Sequence, residues 1–226
     1  MKIAVLGTGM VGRTLAGRLG ELGHQVAIGT RDPGATMAVA DPDRFGNPPI
    51  AAWFESHGDV QLRTFADAAV DSEMVINATN GSGSLSALRQ AGSSNLDGKV
   101  LVDVSNPLDF SRGFPPTLLV VDTDSLGEQI QREFPGALVV KTLNTTNAFV
   151  MVDPTTVADG DHTAFMCGND EGAKDSVRVL LESFGWRDII DLGDISGARA
   201  CEMMLPMWVR LLGSVDGYAF NFKVAR

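Results

Sequence analysis

Lys2-Ile3-Ala4-Val5-Leu6-Gly7-Thr8-Gly9-Met10-Val11-Gly12, at the head of a 226-residue chain, decides the fold. Ile3 to Gly7 is a short apolar run that reads as a strand. Val11 to Leu22 carries apolar residues at helical spacing, and Gly23 follows as a stop. Gln25 to Gly29 reads as a second strand, so the glycines lie at the first turn of a strand–helix–strand unit. A lone GxGxxG pattern is weak, because glycines recur by chance and a glycine-rich turn needs no ligand. In this context each glycine has a task. Gly7 makes the tight turn, Gly9 lets the backbone approach a pyrophosphate, and Gly12 lets helix and strand pack closely. The helix start adds free N–H groups and the positive end of its dipole. The stretch therefore predicts a dinucleotide site.

The end of the second strand says which dinucleotide. A carboxylate there bonds the ribose 2′-OH of NAD and repels the 2′-phosphate of NADP. Here the strand runs Gly29-Thr30-Arg31-Asp32. Thr30 and Arg31 fall where the phosphate belongs, while Asp32 comes one position late, where it faces solvent. The expectation is NADP (NADPH), with a solvated surface charge as the plain alternative for Arg31.

Further along, strand-like and helix-like segments keep alternating. Strands are expected at residues 60–62, 74–78, 100–104, 138–143, 163–167 and 188–192. Helices are expected at 50–57, 64–70, 84–91, 125–134 and 171–184, and a long one at 195–215 contains Pro206. Ser125 and Glu128 form a capping box. Residues 33–49 and 107–116 read as irregular. This pattern predicts an α/β protein with a doubly wound, mostly parallel sheet, an NAD(P)-binding Rossmann fold. A break near residues 147–161 divides a dinucleotide-binding domain, 1–147, from a small C-terminal α/β annex, 148–226, ending in the long helix. The annex is expected to serve dimerisation and the acceptor site.

Composition narrows the partners. With 44% apolar and 20% charged residues the chain can bury a core. A formal charge of −10 argues against nucleic acid, which needs a basic face. Cys167 and Cys201 lack metal-ligand spacing and read as reduced, buried thiols; no metal is expected. The first apolar run is too short for a signal segment, and no stretch reaches the ~20 apolar residues of a membrane helix. A soluble, cytoplasmic protein without a membrane partner is expected.

Rossmann ligands lie beyond the C-terminal ends of the strands. There the sequence reads Asn77-Ala78-Thr79-Asn80-Gly81-Ser82-Gly83, Ser105-Asn106-Pro107-Leu108 and Asn144-Thr145-Thr146-Asn147-Ala148. Ordinary turns and caps would account for one such set. Three at the glycine edge point to a second ligand site. Candidates at the dinucleotide are Gly7, Thr8, Gly9, Met10, Val11, Gly12, Thr30, Arg31, Ala78, Thr79, Asn80, Ser105 and Asn106; those at the acceptor are Asn144, Thr145 and Ala148. A proton donor is missing. Tyr218 is the sole tyrosine, Lys223 is five residues on, and His24, His57 and His162 do not end strands. Carbonyl reduction wants such a donor, whereas hydride transfer between two flat rings needs stacking and orientation. No catalytic acid is assigned.

Gly7 to Gly12, Gly29-Thr30-Arg31, Asp103-Val104-Ser105-Asn106-Pro107-Leu108, Val140-Lys141-Thr142-Leu143-Asn144-Thr145 and Phe165-Met166-Cys167-Gly168-Asn169-Asp170 together resemble the NADPH-dependent oxidoreductases of the deazaflavin coenzyme F-420. Asp191-Leu192-Gly193, then Ala198-Arg199 and Glu202, also fit. The oxidoreductase domain of the six-transmembrane ferric reductases is similar. The resemblance implies hydride transfer between NADPH and a deazaflavin or flavin acceptor. It implies Thr8, Met10 and Val11 on the pyrophosphate, Thr30 and Arg31 on the 2′-phosphate, Thr79 and Asn80 near the ribose, and residues 144–148 beside the nicotinamide and its partner ring. A homodimer built on the last helix is also implied. The Pro-rich insert at 109–116 departs from the family pattern. The anionic tail of F-420 wants a basic site, for which Arg112, Lys141 and Arg199 are the candidates, and a neutral flavin or another small acceptor stays open. An NADP(H) sensor without turnover is the alternative from another class. An imine or hydroxyacid reductase ranks last, since it needs a larger helical C-terminal domain.

Overall fold

The computed structural model describes residues 1–42, 46–215 and 217–226, and among these eight strands form one sheet. They are β1 (Lys2–Leu6), β2 (Gln25–Thr30), β3 (Gln61–Thr64), β4 (Met74–Asn77), β5 (Val100–Asp103), β8 (Leu138–Thr142), β9 (Thr163–Gly168) and β10 (Asp188–Asp191), after counting the hairpin strands β6 (Leu108–Asp109) and β7 (Thr117–Leu118). The order across the sheet is β3-β2-β1-β4-β5-β8-β9-β10. Every pairing is parallel except β8 with β9, where Lys141 faces Cys167. β9 and β10 thus extend the same sheet in the opposite direction.

The period-two alternation of a strand sorts the core into two halves. Along β1, Ile3 and Val5 face one side, with α1 (Met10–Glu21) and α9 (Glu171–Phe184). Ala4 and Leu6 face the other, with α4 (Phe65–Val70), α5 (Gly81–Ala91) and α7 (Leu126–Glu133). Helices on both faces make the sheet doubly wound, as expected. The chain runs outward from β1 to β3 and then returns to β4 on the other side of β1. The order reverses between β1 and β4, and in open α/β sheets ligands bind at such a reversal. Leu6 and Asn77 are register partners there, so Gly7 and Ala78 leave the sheet side by side.

Several boundaries differ from the expectation, each for a local reason. Part of the expected irregular run 33–49 is α2 (Pro33–Met37), capped by Asp32 and with proline in its first turn; residues 43–45 of that run lie outside the described residues. α3 (Ile50–Glu55) follows it. α5 starts at Gly81 rather than Ser84, because the Asn80 side chain caps it by accepting from Ser82 N–H. A short α6 (Ser93–Leu96) leads into β5. The Pro-rich stretch folds into the β6–β7 hairpin. The break near 147–161 holds α8 (Ala148–Val152), capped by Asn147. The closing helix is present but divided. A 3₁₀ turn at Ile195–Gly197 leads into α10 (Ala198–Met203) and then α11 (Leu205–Leu211). Pro206 lies in the first turn of α11, where its missing N–H ends the ladder from α10.

Candidate active site

Gly7 has φ +123°, and a Cβ built on it would stand 2.5 Å from the Ala78 carbonyl oxygen. A Cβ on Gly12 would stand 2.1 Å from the Gly7 carbonyl oxygen. Both positions are therefore closed to larger residues, by the packing of the turn against β4 and of α1 against the turn. At Gly9 a Cβ would meet nothing within 4 Å. The turn spares that side chain although the fold does not need it spared. The exposed Gly9 caps α1, and no side chain caps the helix start. The turn thus offers open backbone and free N–H groups, which suits an incoming pyrophosphate.

At the end of β2, Thr30 is buried and its hydroxyl lies 2.8 Å from that of Thr36. Arg31 is exposed and has no ion pair or hydrogen bond among the described residues. Asp32 is exposed too, and its carboxylate accepts from the Ala35 N–H at 2.9 Å, so it is spent on a cap.

The neighbouring strand ends join in one buried polar network. Asn77 closes β4, fully buried, and its Nδ2 donates to Asp103 Oδ1 at 2.9 Å and to the Ser84 and Ser105 hydroxyls at 3.2 and 3.3 Å. Thr79 Oγ1 donates to Asn77 Oδ1 at 2.6 Å. Asp103, closing β5, also accepts from the Ser105 hydroxyl at 2.6 Å. Lys141 on β8 donates to Asp103 Oδ2 at 2.8 Å and to the Ser105 carbonyl at 2.6 Å, and it pairs with Glu202 of α10 at 3.0 Å. Burial by itself would lower the Lys141 pKa, but Asp103 and Glu202 outweigh it and hold the group above its ordinary value. The Glu202 carboxylate also accepts from the Leu126 and Gly127 N–H groups at the start of α7.

Asn144 follows Leu143, a non-glycine residue held at φ +57°. Such strain in a bulky residue often marks a functional turn. Asn144 Nδ2 donates to Asn106 Oδ1 at 2.9 Å and to the Cys201 carbonyl at 3.0 Å, and Asn106 Nδ2 returns a bond to the Asn144 carbonyl at 2.8 Å. Asn144 Oδ1 accepts no bond among the described residues. The buried side-chain polar atoms left without a partner there are Arg18 Nε and Trp208 Nε1 alone, so Asn144 Oδ1 is reached by solvent. Thr145 and Ala148 are buried in the same turn, and Asn147 caps α8.

The structure thus joins Thr79 to Ser105 through Asn77, and Asn106 to Asn144 directly, while Asn80 and Asn147 serve as caps. Two cation expectations are corrected. Lys141 has no exposed side-chain surface and is spent on Asp103 and Glu202. Arg199 is clamped bidentate by Glu128 at 2.8 and 2.6 Å. Of the three basic candidates only Arg112, exposed on the β6–β7 hairpin, makes no ion pair or hydrogen bond among the described residues, though it interacts electrostatically with Asp109. Asn77, Asp103, Glu202 and Gly81 stand in the stretches quoted from the sequence but are not assigned to the site from it; a Cβ on Gly81 would stand 2.0 Å from the Asn106 carbonyl oxygen. A signal existed for the first two: each is a polar residue closing an otherwise apolar, buried strand, and such groups stay buried only when partnered.

The sequence model of the family described as NADP oxidoreductase, coenzyme F-420-dependent, matches residues 2–107. The F-420-dependent NADP reductase of Methanocaldococcus jannaschii is 30% identical over 93% of this chain and 92% of its own length. This chain belongs to that family. It is an NADP-dependent oxidoreductase. A crystal structure from Arthrobacter sp. FB24, provisionally named an F-420-dependent NADP reductase, shares 59% identity and superposes with a TM-score of 0.96 over 100% of both chains. Metalloreductase STEAP3 of Rattus norvegicus is 31% identical over 98% of this chain, which spans 41% of that longer protein. Among the described residues no helix is long and apolar enough to cross a membrane.

For a reductase of this family, titratable groups able to protonate a substrate are scarce at the strand ends. Asp103, Lys141 and Glu202 are paired with one another in the interior. His162 is buried edge-on against Trp186, accepts from the Asn221 amide and bonds the Pro154 carbonyl. His57 stacks on Trp53 at 3.8 Å, at the far end of α3.

Proposed function

We propose that this oxidoreductase transfers hydride between NADP(H) and a flat deazaflavin- or flavin-type ring. The observation that carries the reading is the linked set of amide and hydroxyl side chains at the ends of β4, β5 and β8, beside the open glycine turn. Such groups orient rings through hydrogen bonds and do not supply protons. The turn Gly7 to Gly12, with Thr8, Met10 and Val11, holds the pyrophosphate, and Thr30 and Arg31 face the 2′-phosphate. Ala78, Thr79, Asn80, Ser105 and Asn106 line the ribose and nicotinamide side, while Asn144, Thr145 and Ala148 take the acceptor ring. When bound, NADPH supplies the hydride. The protein's part is to bind, align and shield. Residues 1–147 act as the dinucleotide-binding domain, and 148–226 contribute acceptor contacts and pairing.

We further propose a homodimer formed through α10 and α11, whose exposed Met203 and Met207 leave apolar surface open, and a cytoplasmic setting, which suits two buried free thiols. Nucleic acid and membrane are not partners in this reading.

The test mixes purified protein and NADPH with F-420, with its uncharged 8-hydroxy-5-deazariboflavin chromophore and with FMN, and follows the nicotinamide absorbance. Oxidation by at least one ring is expected. Tight NADPH binding with no oxidation by any of them overturns the enzyme reading in favour of a sensor.

A further inference from the structure

Asn144 is held by three hydrogen bonds, two with Asn106 and one with the Cys201 carbonyl of α10, a helix far along the chain. Consecutive residues of α10 reach the site in different ways. The Cys201 carbonyl accepts from Asn144 Nδ2 at 3.0 Å. The Glu202 carboxylate pairs with Lys141 at 3.0 Å and accepts from the Leu126 and Gly127 N–H groups at 2.8 and 3.0 Å. Lys141 spends its remaining donors on Asp103 and on the carbonyl of Ser105, the residue before Asn106. One buried ion cluster therefore fixes both the helix that orients Asn144 and the turn that carries its partner Asn106. All three charged groups are at most 1% exposed.

A buried ion pair is weak evidence for stability, because desolvation offsets the attraction and apolar residues fill such space as well. Its geometric specificity is the better reason for its place here. Both Asn144 donors are consumed by acceptors on the protein, so the amide cannot flip without losing both bonds. Its Oδ1 is left as the group offered to a ligand.

We propose that Lys141 and Glu202 are positioning residues for hydride transfer, acting through α10 to aim Asn144 Oδ1 as a hydrogen-bond acceptor at an N–H or amide donor of a bound ring. This rests on the reading of Asn144 as a ring contact. Neither Lys141 nor Glu202 touches a ligand. They set the angle of a group that does, and small misplacements of such a group are costly to rate.

The experiment is a double-mutant cycle on NADPH oxidation by 8-hydroxy-5-deazariboflavin, using wild type, Glu202→Gln, Asn144→Ala and both together, with NADPH affinity measured by fluorescence. Glu202→Gln is expected to slow hydride transfer about 10- to 100-fold while NADPH affinity stays within about twofold. In the Asn144→Ala background it is expected to change the rate less than about twofold, because the group it positions is gone. Fully multiplicative losses, or a parallel fall in NADPH affinity, overturn the proposal alone. An Asn144→Ala enzyme as fast as wild type overturns the ring-contact reading and the proposal with it. Melting temperatures of all four proteins guard against a folding artefact, and a wild-type rate in a well-folded Glu202→Gln enzyme overturns the positioning role.

Discussion

At the residue scale the glycine turn separates two kinds of requirement. Gly12 is closed by the protein itself, since a Cβ there meets the Gly7 oxygen at 2.1 Å, whereas Gly9 is open. Gly9→Val is therefore expected to fold with a near-wild-type melting temperature and to lose dinucleotide binding. Unchanged affinity in a binding titration would place the pyrophosphate elsewhere. Arg31 makes the complementary case. It is exposed and free of described partners, so its removal costs the fold little. A charge-assisted bond to phosphate contributes roughly 1.5–3 kcal/mol, which is about 10- to 100-fold in affinity. Arg31→Glu is expected to weaken NADPH by at least that factor and NADH far less; equal losses for both nucleotides would remove Arg31 from the 2′-phosphate. Both positions could be singled out from the sequence because the features that mark them are local. A turn beside a strand and a charge at a strand end announce themselves within a few positions. Glu202 was not legible as part of the site, because its partners Lys141 and Leu126 are distant in sequence and only the fold brings them together.

At the element scale, the units that could be read were those with strong periodicity or strong punctuation. β1, α1 and β2 carry both, as does α9, whose Asp170 cap accepts from the Ala173 N–H at 2.7 Å. The units that escaped are short. α2, α8 and the β6–β7 hairpin span two to five residues per element, too few for a period to show. Their signals were single caps, Asp32 and Asn147, inside stretches that otherwise read as loop. The capping box on α7 was legible and takes a particular form. The Ser125 hydroxyl accepts from the Glu128 N–H at 3.1 Å and donates to Glu128 Oε2 at 2.7 Å, while Arg199 grips the same carboxylate. Losing such a cap costs about 1 kcal/mol. Ser125→Ala is therefore expected to lower the melting temperature by roughly 2–4 °C, and a differential scanning run showing no change would mean that Glu202 alone holds the helix start. The hairpin makes a sharper functional prediction. Arg112 sits there beside Phe114, which is 71% exposed. Arg112→Glu is expected to raise KM for F-420, with its anionic tail, and to leave KM for the uncharged chromophore unchanged. Equal effects on both would show that the tail lies elsewhere.

At the scale of the whole molecule, charge and topology meet in the way the C-terminal helices are tied to the sheet. The chain is acidic, with a net charge of −10, so its ion pairs do not balance the total but join particular elements. Glu128 with Arg199 joins α7 to α10, and Asp124 with Arg132 braces the approach to α7. The hydrogen bond from Arg132, aided by Gln129, holds the Asp124 carboxyl down at about 2, against an ordinary 3.8. Arg199, aided by Ser125, lowers the Glu128 carboxyl in the same direction. A carboxyl depressed in the folded state contributes stability that is present above its unfolded pKa and disappears as pH falls through the folded one. Lys141 has the opposite sign. Its pKa is raised, so its contribution is full below the ordinary lysine value of 10.5 and declines only above it. The two together predict a broad plateau of stability through neutral and moderately alkaline pH, and a steep loss between about pH 4 and pH 2. Thermal melts across that range provide the measurement. Asp124→Asn is expected to melt lower than wild type at pH 7 and to show a shallower fall on acidification, since the carboxyl that drives part of the fall is absent. A variant that keeps the full acid slope would assign that slope to Glu128 and its neighbours, and would detach Asp124 from the bracing of α7.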